Sequence, residues 1–315
     1  MKSFIRITAS LLAALTVLLS FNTAAYALGI EDAYHHGDVT LDNKIDVTDA
    51  TAIQKYAVAL AEFSPEQLSK ADVNYDGVIN VADATLIQKI ASGLYIPLAG
   101  KKGVDISSHN GDIDIKKIRD AGYSFVMIRC GYGEDKTSQD DKRFEENVRK
   151  CEELGMPWGV YLYSYALTVD DARSEARHVL RLLDGKRPTL PVAFDMEDAD
   201  GYKSKHGMPS NKQLISICKT FINGVREAGY YPALYANLSW LKMLDDEELL
   251  TSCDIWVAQW NSSCTYTRYP ASMWQYGGET NYLESNSIPG IGTIDKDVAY
   301  KDYPMLIVNG GYNNW

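Results

Sequence analysis

The sequence predicts an α/β protein in two parts: a small all-α unit near the start, and behind it a distorted, incomplete (β/α) TIM-like barrel. Three observations carry this. Residues 38–55 (DVTLDNKIDVTDATAIQK) and 72–89 (DVNYDGVINVADATLIQK) align without a gap at an offset of 34, the mark of a duplicated supersecondary unit. From residue 103 onward short apolar runs alternate with amphipathic stretches, as repeated βα units around a parallel sheet do. The run 190–195 then ends in Asp195, Met196, Glu197 and Asp198, three carboxylates that a merely buried strand does not need.

The chain has 315 residues and a formal charge of −11, which argues against nucleic acid or an anionic membrane surface as partner. Residues 1–27 open with Lys2 and Arg6, continue through an apolar stretch and close on Ala25-Tyr26-Ala27. This is the pattern of a cleaved secretory leader. No later stretch approaches spanning length, so an exported protein without a membrane span is expected, as a monomer. Cys130, Cys151 and Cys218 fall in strand-like or helical runs where thiols pack as small hydrophobes. Cys253 and Cys264 flank a short segment and could pair in an oxidising compartment. No Cys-x-x-Cys occurs and the five histidines lack metal-ligand spacing.

The repeat at 36–97 carries its own chemistry. In the second copy Asp72, Asn74, Asp76, Gly77 and Asp83 stand at positions 1, 3, 5, 6 and 12 of a calcium loop. Short oxygen side chains at alternate positions can converge on one hard cation, the carbonyl of Val78 adds the position-7 ligand, and glycine permits the sharp turn. The first copy offers Asp38, Thr40, Asp42, the carbonyl of Lys44, and Asp49. There Thr40 is a weaker ligand and Asn43 replaces the glycine, so two structural Ca2+ sites of unequal strength are expected. Each loop runs directly into a helix (DATAIQKYAVAL, DATLIQKIASGL), with Asp rather than Glu at position 12. Those features resemble a type I dockerin, which implies a cohesin domain of a scaffoldin as partner.

After a short linker at 98–102 the second domain is expected over 103–315. Its apolar runs lie at 103–106, 124–130, 158–163, 190–195, 232–236, 254–258 and 272–276, with helical periodicity at 112–121, 140–154, 169–183 and 211–228. Helices thin out towards the C-terminus, hence a barrel incomplete there. An open doubly wound sheet fits less well, because the first strand ends VDISSHNGD without a glycine-rich phosphate turn.

In a (β/α) barrel the reactive groups come from the C-terminal ends of different strands. Those ends hold Asp105, Tyr161, Tyr163, Asp195, Glu197, Tyr235 and Trp256, with no cysteine or histidine dyad. Acids beside aromatic faces suit carbohydrate. Asp195 and Glu197 are two apart on an extended chain and so share a face; paired carboxylates are the apparatus of glycoside hydrolysis.

The motifs GVDISSHNGDID, FVMIRCGYG, GVYLYSYA, PVAFDMED, PALYAN, IWVAQWN, MWQYGG and GTIDKDVAY, in that order, resemble glycoside hydrolase family 25, the Chalaropsis-type lysozymes. The resemblance covers about 102–303 and implies cleavage of the β-1,4 bond between N-acetylmuramic acid and N-acetylglucosamine in bacterial peptidoglycan, with retention. It also implies Glu197 as acid/base, Asp195 as its partner, Asp105 and Asp295 in the same cleft, and no catalytic cofactor. A chitinase-like barrel would carry Asp-x-x-Asp-x-Asp-x-Glu, but Leu190 and Ala193 stand at its two upstream aspartates. An inactive wall-binding module is the alternative from another class.

Overall fold

The computed structural model describes residues 36–315, so the leader read over residues 1–27 lies outside it. The repeat unit is α1 (Val47–Ala57), α2 (Pro65–Ala71) and α3 (Val81–Ala91). Its two copies start their helices in the same way. Asp46 and Asn80 cap α1 and α3, and Asp49 and Asp83 at the third helical position reach back to the cap backbone, a capping box that satisfies otherwise orphaned N–H groups. Asn43 and Gly77, equivalent in the repeat, both have left-handed backbone, φ 65° and 81°, a conformation that Gly adopts freely and Asn tolerates. Val39, Ala50, Ile53, Ala84 and Ile87 form a small apolar core between the helices.

The barrel follows: β1 (Lys102–Ile106), α4 (Ile115–Asp120), β2 (Val126–Tyr132), α5 (Phe144–Leu154), β3 (Trp158–Tyr163), α6 (Val169–Leu182), β4 (Val192–Asp195), α7 (Tyr202–Lys205), α8 (Asn211–Glu227), β5 (Pro232–Asn237), α9 (Leu238–Met243), α10 (Glu247–Ser252), β6 (Asp254–Ala258) and β7 (Met273–Gly277). A two-stranded hairpin, β8 (Ser287–Ile288) with β9 (Gly292–Thr293), precedes β10 (Asp295–Ala299) and α11 (Tyr303–Asn309). Strands β1 to β7 run parallel, and β10 closes the ring antiparallel to both β7 and β1.

The expected incompleteness therefore lies in the helical shell and in strand direction, since the strand ring itself is closed. No helix separates β6 from β7 or β7 from β10. A parallel return needs a crossover, usually a helix. Residues 278–294 supply only a hairpin, so the chain re-enters the ring from the end at which β7 left it. That reversal brings the first residue of β10, Asp295, level with Asp105 near the end of β1.

Side chains alternate between the barrel lumen and the helix layer. Phe125, Met127, Ala193, Ala233, Trp256, Met273 and Ala299 fill the lumen, while Val104, Ile128, Val160, Phe194, Leu234 and Val257 pack outward against the helices. Two inward positions are glycine because the lumen has no room. A Cβ on Gly103 would overlap the Phe125 ring, and one on Gly159 would lie 2.6 Å from Leu190 Cβ.

The repeat unit rests on the bottom of the barrel. Tyr95 donates to Asp302 at 2.6 Å, the amide of Leu98 donates to Asp302 at 3.1 Å, and Asn309 donates to the carbonyl of Asn74 at 2.8 Å. Met305 of α11 packs against the core of the repeat unit. All five cysteines are free thiols, so the pairing open to Cys253 and Cys264 is not made. Among the described residues no helix is long and apolar enough to cross a membrane.

Candidate active site

The mouth of the barrel opens into a cleft of about 920 Å³ lined by Asp105, Arg129, Tyr161, Tyr163, Asp195, Glu197, Tyr235, Trp256, Gln275 and Asp295, among others. All eight catalytic and substrate residues read from the sequence thus face one cavity. They arrive on six strands, plus the residues just past β4, because each inward position near the mouth is polar or aromatic where deeper ones are apolar. Asp195 pairs in register with Tyr163 on β3 and Tyr235 on β5. Met196 turns outward and is fully buried, its amide bonded to the Tyr235 carbonyl. Glu197 therefore returns to the cleft side, as period-two alternation requires.

Asp105, Asp195, Glu197 and Asp295 crowd this space, and burial sets their behaviour. Asp195 is 4% exposed and its Oδ1 has no hydrogen-bond donor. Burial first, then the Glu197 charge, push its carboxyl well above the usual range, while Lys203 works the other way. Glu197 is likewise raised, chiefly by burial. Burial and Asp295 raise Asp105; burial and Glu279 hold Asp295 at about 6. Like charges in a poorly solvated pocket cannot all ionise together, so the cluster gives up its protons at higher pH than solvated carboxyls do.

Gln275, Asp297 and Lys203 also belong to the site, and sequence reasoning passed over them. Gln275 donates to Asp105 at 2.8 Å, and its carbonyl oxygen accepts from Tyr235 and Trp260, each at 3.0 Å. The amide is thereby held one way round and aims Asp105. Asp297 is fully buried and accepts from the Trp256 indole at 2.9 Å, while its Oδ2 has no hydrogen-bond donor. Burial first, then the Asp105 charge, push Asp297 well above the usual carboxylate range. The signal was available: Asp297 stands two after Asp295, the spacing that links Asp195 to Glu197. Nothing in the sequence marked Lys203.

Rings floor the cleft. Tyr161 and Tyr235 meet Trp256 edge-on, with centroids 6.0 and 4.7 Å apart. Trp260 lies beside Gly278, where a Cβ would collide with both that indole and the Asp295 carboxylate. Arg129 pairs with the buried Asp141 at 2.9 Å along one wall.

In the repeat unit the candidate calcium ligands form oxygen-only sets, the chemistry a hard cation selects. Asp72 accepts from the amides of Asp76 and Gly77, and Asp76 from that of Val78. Asp38 accepts from Asp42 and Asn43 in the same manner, and Asp42 from Lys44. Thr40 donates to Asp49. Asp49 and Asp83 are fully buried, their oxygens taken by loop and cap amides. Among the described residues no group of three or more His, Cys, Asp or Glu side chains is gathered to hold a metal.

The profile of the type I dockerin domain matches residues 36–90. The autolytic lysozyme of Clostridium acetobutylicum is 26% identical over 198 residues, 62% of this chain and 55% of that protein. The modular autolysin LytC of Streptococcus pneumoniae, solved with a synthetic peptidoglycan ligand, is 30% identical with a TM-score of 0.54, over 63% of this chain and 46% of that one. This chain thus spans about half the length of both. A family 25 glycosyl hydrolase from Bacillus anthracis shares the fold at 21% identity and a TM-score of 0.52, covering 68% of this chain and 93% of that one. The profile of glycosyl hydrolases family 25 matches residues 104–285, more than half of the chain and most of the barrel that carries the acids; the protein is a member of that family.

Proposed function

We propose that this chain is a secreted N-acetylmuramidase. It cleaves the β-1,4 bond between N-acetylmuramic acid and N-acetylglucosamine in bacterial peptidoglycan with retention, and is tethered through residues 36–97 to a cohesin-bearing scaffold. The observation that carries the reading is the pair Asp195 and Glu197, both turned into an acid-and-aromatic cleft at the mouth of a family 25 barrel.

Glu197 is the general acid. Its burial keeps it protonated above the ordinary carboxylate range, and it gives that proton to the leaving glycosidic oxygen, then takes one from water in the second step. Asp195 stands beside the reacting carbon. From its place in the cleft wall beside Glu197 it orients the substrate's own 2-acetamido group, whose oxygen attacks the anomeric carbon, and its carboxylate offsets the positive charge that develops. Asp105 and Asp295 complete the acidic wall, and the tyrosines with Trp256 pack against sugar faces. Reduction of the digestion products with borohydride followed by mass spectrometry tests the bond choice. Muramitol is the expected new end; glucosaminitol, or stem peptides without new reducing ends, overturns it.

Two Ca2+ ions would be held by Asp38, Thr40, Asp42, the Lys44 carbonyl and Asp49, and by Asp72, Asn74, Asp76, the Val78 carbonyl and Asp83. Bound there, the cations offset the mutual repulsion of the loop carboxylates and order the helices that meet cohesin. Chelation should disorder 36–97 while the barrel stays folded, with the loop at 38–49 releasing its ion first. Calorimetry that finds the tight site in the first loop contradicts this.

A further inference from the structure

Lys203 is a buried lysine with no place in the scheme above. It sits on α7, a single turn directly after the DMED segment, and its side chain is 0% exposed. Asp198 sets the turn: its carboxylate accepts from the amides of Lys203 and Ser204 at 2.6 and 3.0 Å. The lysine side chain then runs back beneath the cleft. Its Nζ donates to the carbonyl of Glu197 at 2.8 Å and to the carbonyl of Ser164, just past β3. The rings of Tyr163 and Trp240 face the same nitrogen at 5.8 and 5.9 Å.

A solvated lysine costs little, whereas a fully buried ammonium is retained only where carbonyls, rings and carboxylates replace its water. All three kinds are present. The titratable groups facing it are Tyr163 from β3, Glu175 from α6, Asp195 from β4, Glu197, Asp198 and Asp200 just past β4, and Cys218 from α8. Glu175 is itself fully buried, bonded to the Ser164 hydroxyl and the Tyr165 amide. Burial pulls the lysine down from its ordinary value, and the carboxylates oppose that.

We infer that Lys203 is a positioning residue for the hydrolysis: its ammonium pins the Glu197 peptide to the end of β3 and sets a fixed positive charge directly beneath the acidic cleft. The inference rests on the assignment of Glu197 and Asp195 above. Glu197 lies just past the end of β4, beyond the sheet's own hydrogen bonds, so the Lys203 bond ties its peptide to the frame. The other charges on the pair are Asp105, Asp295, Asp198, Asp200 and Arg129. Of these only Arg129 is positive, and Asp141 already neutralises it.

The test is Lys203→Met in the full chain, which keeps most of the buried volume and removes the charge. Turnover on peptidoglycan should fall about 10²-fold, the cost of a small misplacement at a reacting centre, with KM little changed. Both limbs of the kcat/KM pH profile should move to higher pH, because each carboxyl loses the cation that favours its ionised form. Lost activity with unmoved limbs overturns the inference and leaves a structural lysine. Carboxyl 13C NMR titration of Asp195 and Glu197 in wild type and variant answers the same question without activity: upward shifts support the inference, unchanged titrations overturn it. Failure of the wild type to cut glycan would count against the proposed function alone. Should the variant not fold, 15N NMR of the wild-type lysine decides. A slowly exchanging ammonium at neutral pH supports the inference, and a neutral amine overturns it.

Discussion

Glu197→Gln should reduce peptidoglycan hydrolysis by about 10²–10⁴-fold, the usual worth of a positioned proton donor, and leave the fold intact. The amide matches the acid in shape and can still donate a hydrogen bond to the leaving oxygen, but it cannot transfer a proton. Asp195 gains from the change, because the neighbouring negative charge that raises it is gone; its titration should move down and thermal stability should not fall. The two readouts must therefore diverge: turbidity loss on bacterial walls collapses while the melting temperature holds or rises. Near-normal lysis by the folded variant would sink the assignment of Glu197. A wild type that binds walls without clearing them would revive the inactive-module reading.

Thermal stability should fall as pH rises from about 5 to 8, by ~5–10 °C in Tm, since a shift of one pKa unit is worth about 1.4 kcal/mol and each kcal/mol moves Tm by about 2–4 °C at this size. The sign follows from the direction of the shifts. Unfolded carboxyls lose their protons near pH 4. In the fold, burial and Glu279 hold Asp295 at about 6, and burial holds Glu175 at about 8. Asp105, Asp195, Glu197 and Asp297 are displaced the same way. Between the two sets of values the native state binds more protons, so its stability is full below the unfolded pKa and drains as pH climbs through the folded ones. Glu284 behaves oppositely. Burial opposes it, but Lys102, Tyr276 and Tyr123 pull its carboxyl down to about 2, so its contribution is lost only as pH falls from about 4 towards 2. Calorimetry across this range checks the slope, and Asp297→Asn should flatten it. A Tm that is level or rising from pH 5 to 8 contradicts the prediction.

The two predictions meet in one group of residues whose visibility in the sequence was uneven. The parallel strands were legible because each buries apolar side chains on two faces: WGVYLY and LPVAFD could hardly be anything else. The last strand was not, because its inward positions are Asp295 and Asp297, so DKDVA shows no apolar alternation. Asp295 entered only through the likeness of its motif. Gln275 sat in a motif already noticed, MWQYGG, but an inward amide looks like any polar strand residue until its three partners are known. Lys203 was invisible for a different reason. Lysine belongs at the surface, and only the turn set by Asp198 carries it inside. Asp49 and Asp83 show the converse case: their spacing suggested loop ligands, and nothing in that pattern revealed that their buried carboxylates also close the capping boxes at the helix starts.

The reversed last strand has a consequence for how the molecule can be held. Because β10 enters at the mouth, it leaves at the far end, and α11 is laid across that end beside the point where β1 begins. The chain before β1 and the chain after β10 thus meet there, locked by Tyr95 and Asn309. Whatever grips the repeat unit holds the barrel from behind, like a hand on a handle, and the acids face away from it. A long, stiff polymer can then lie across the opening without striking the anchor, and the direction of pull never crosses the cleft.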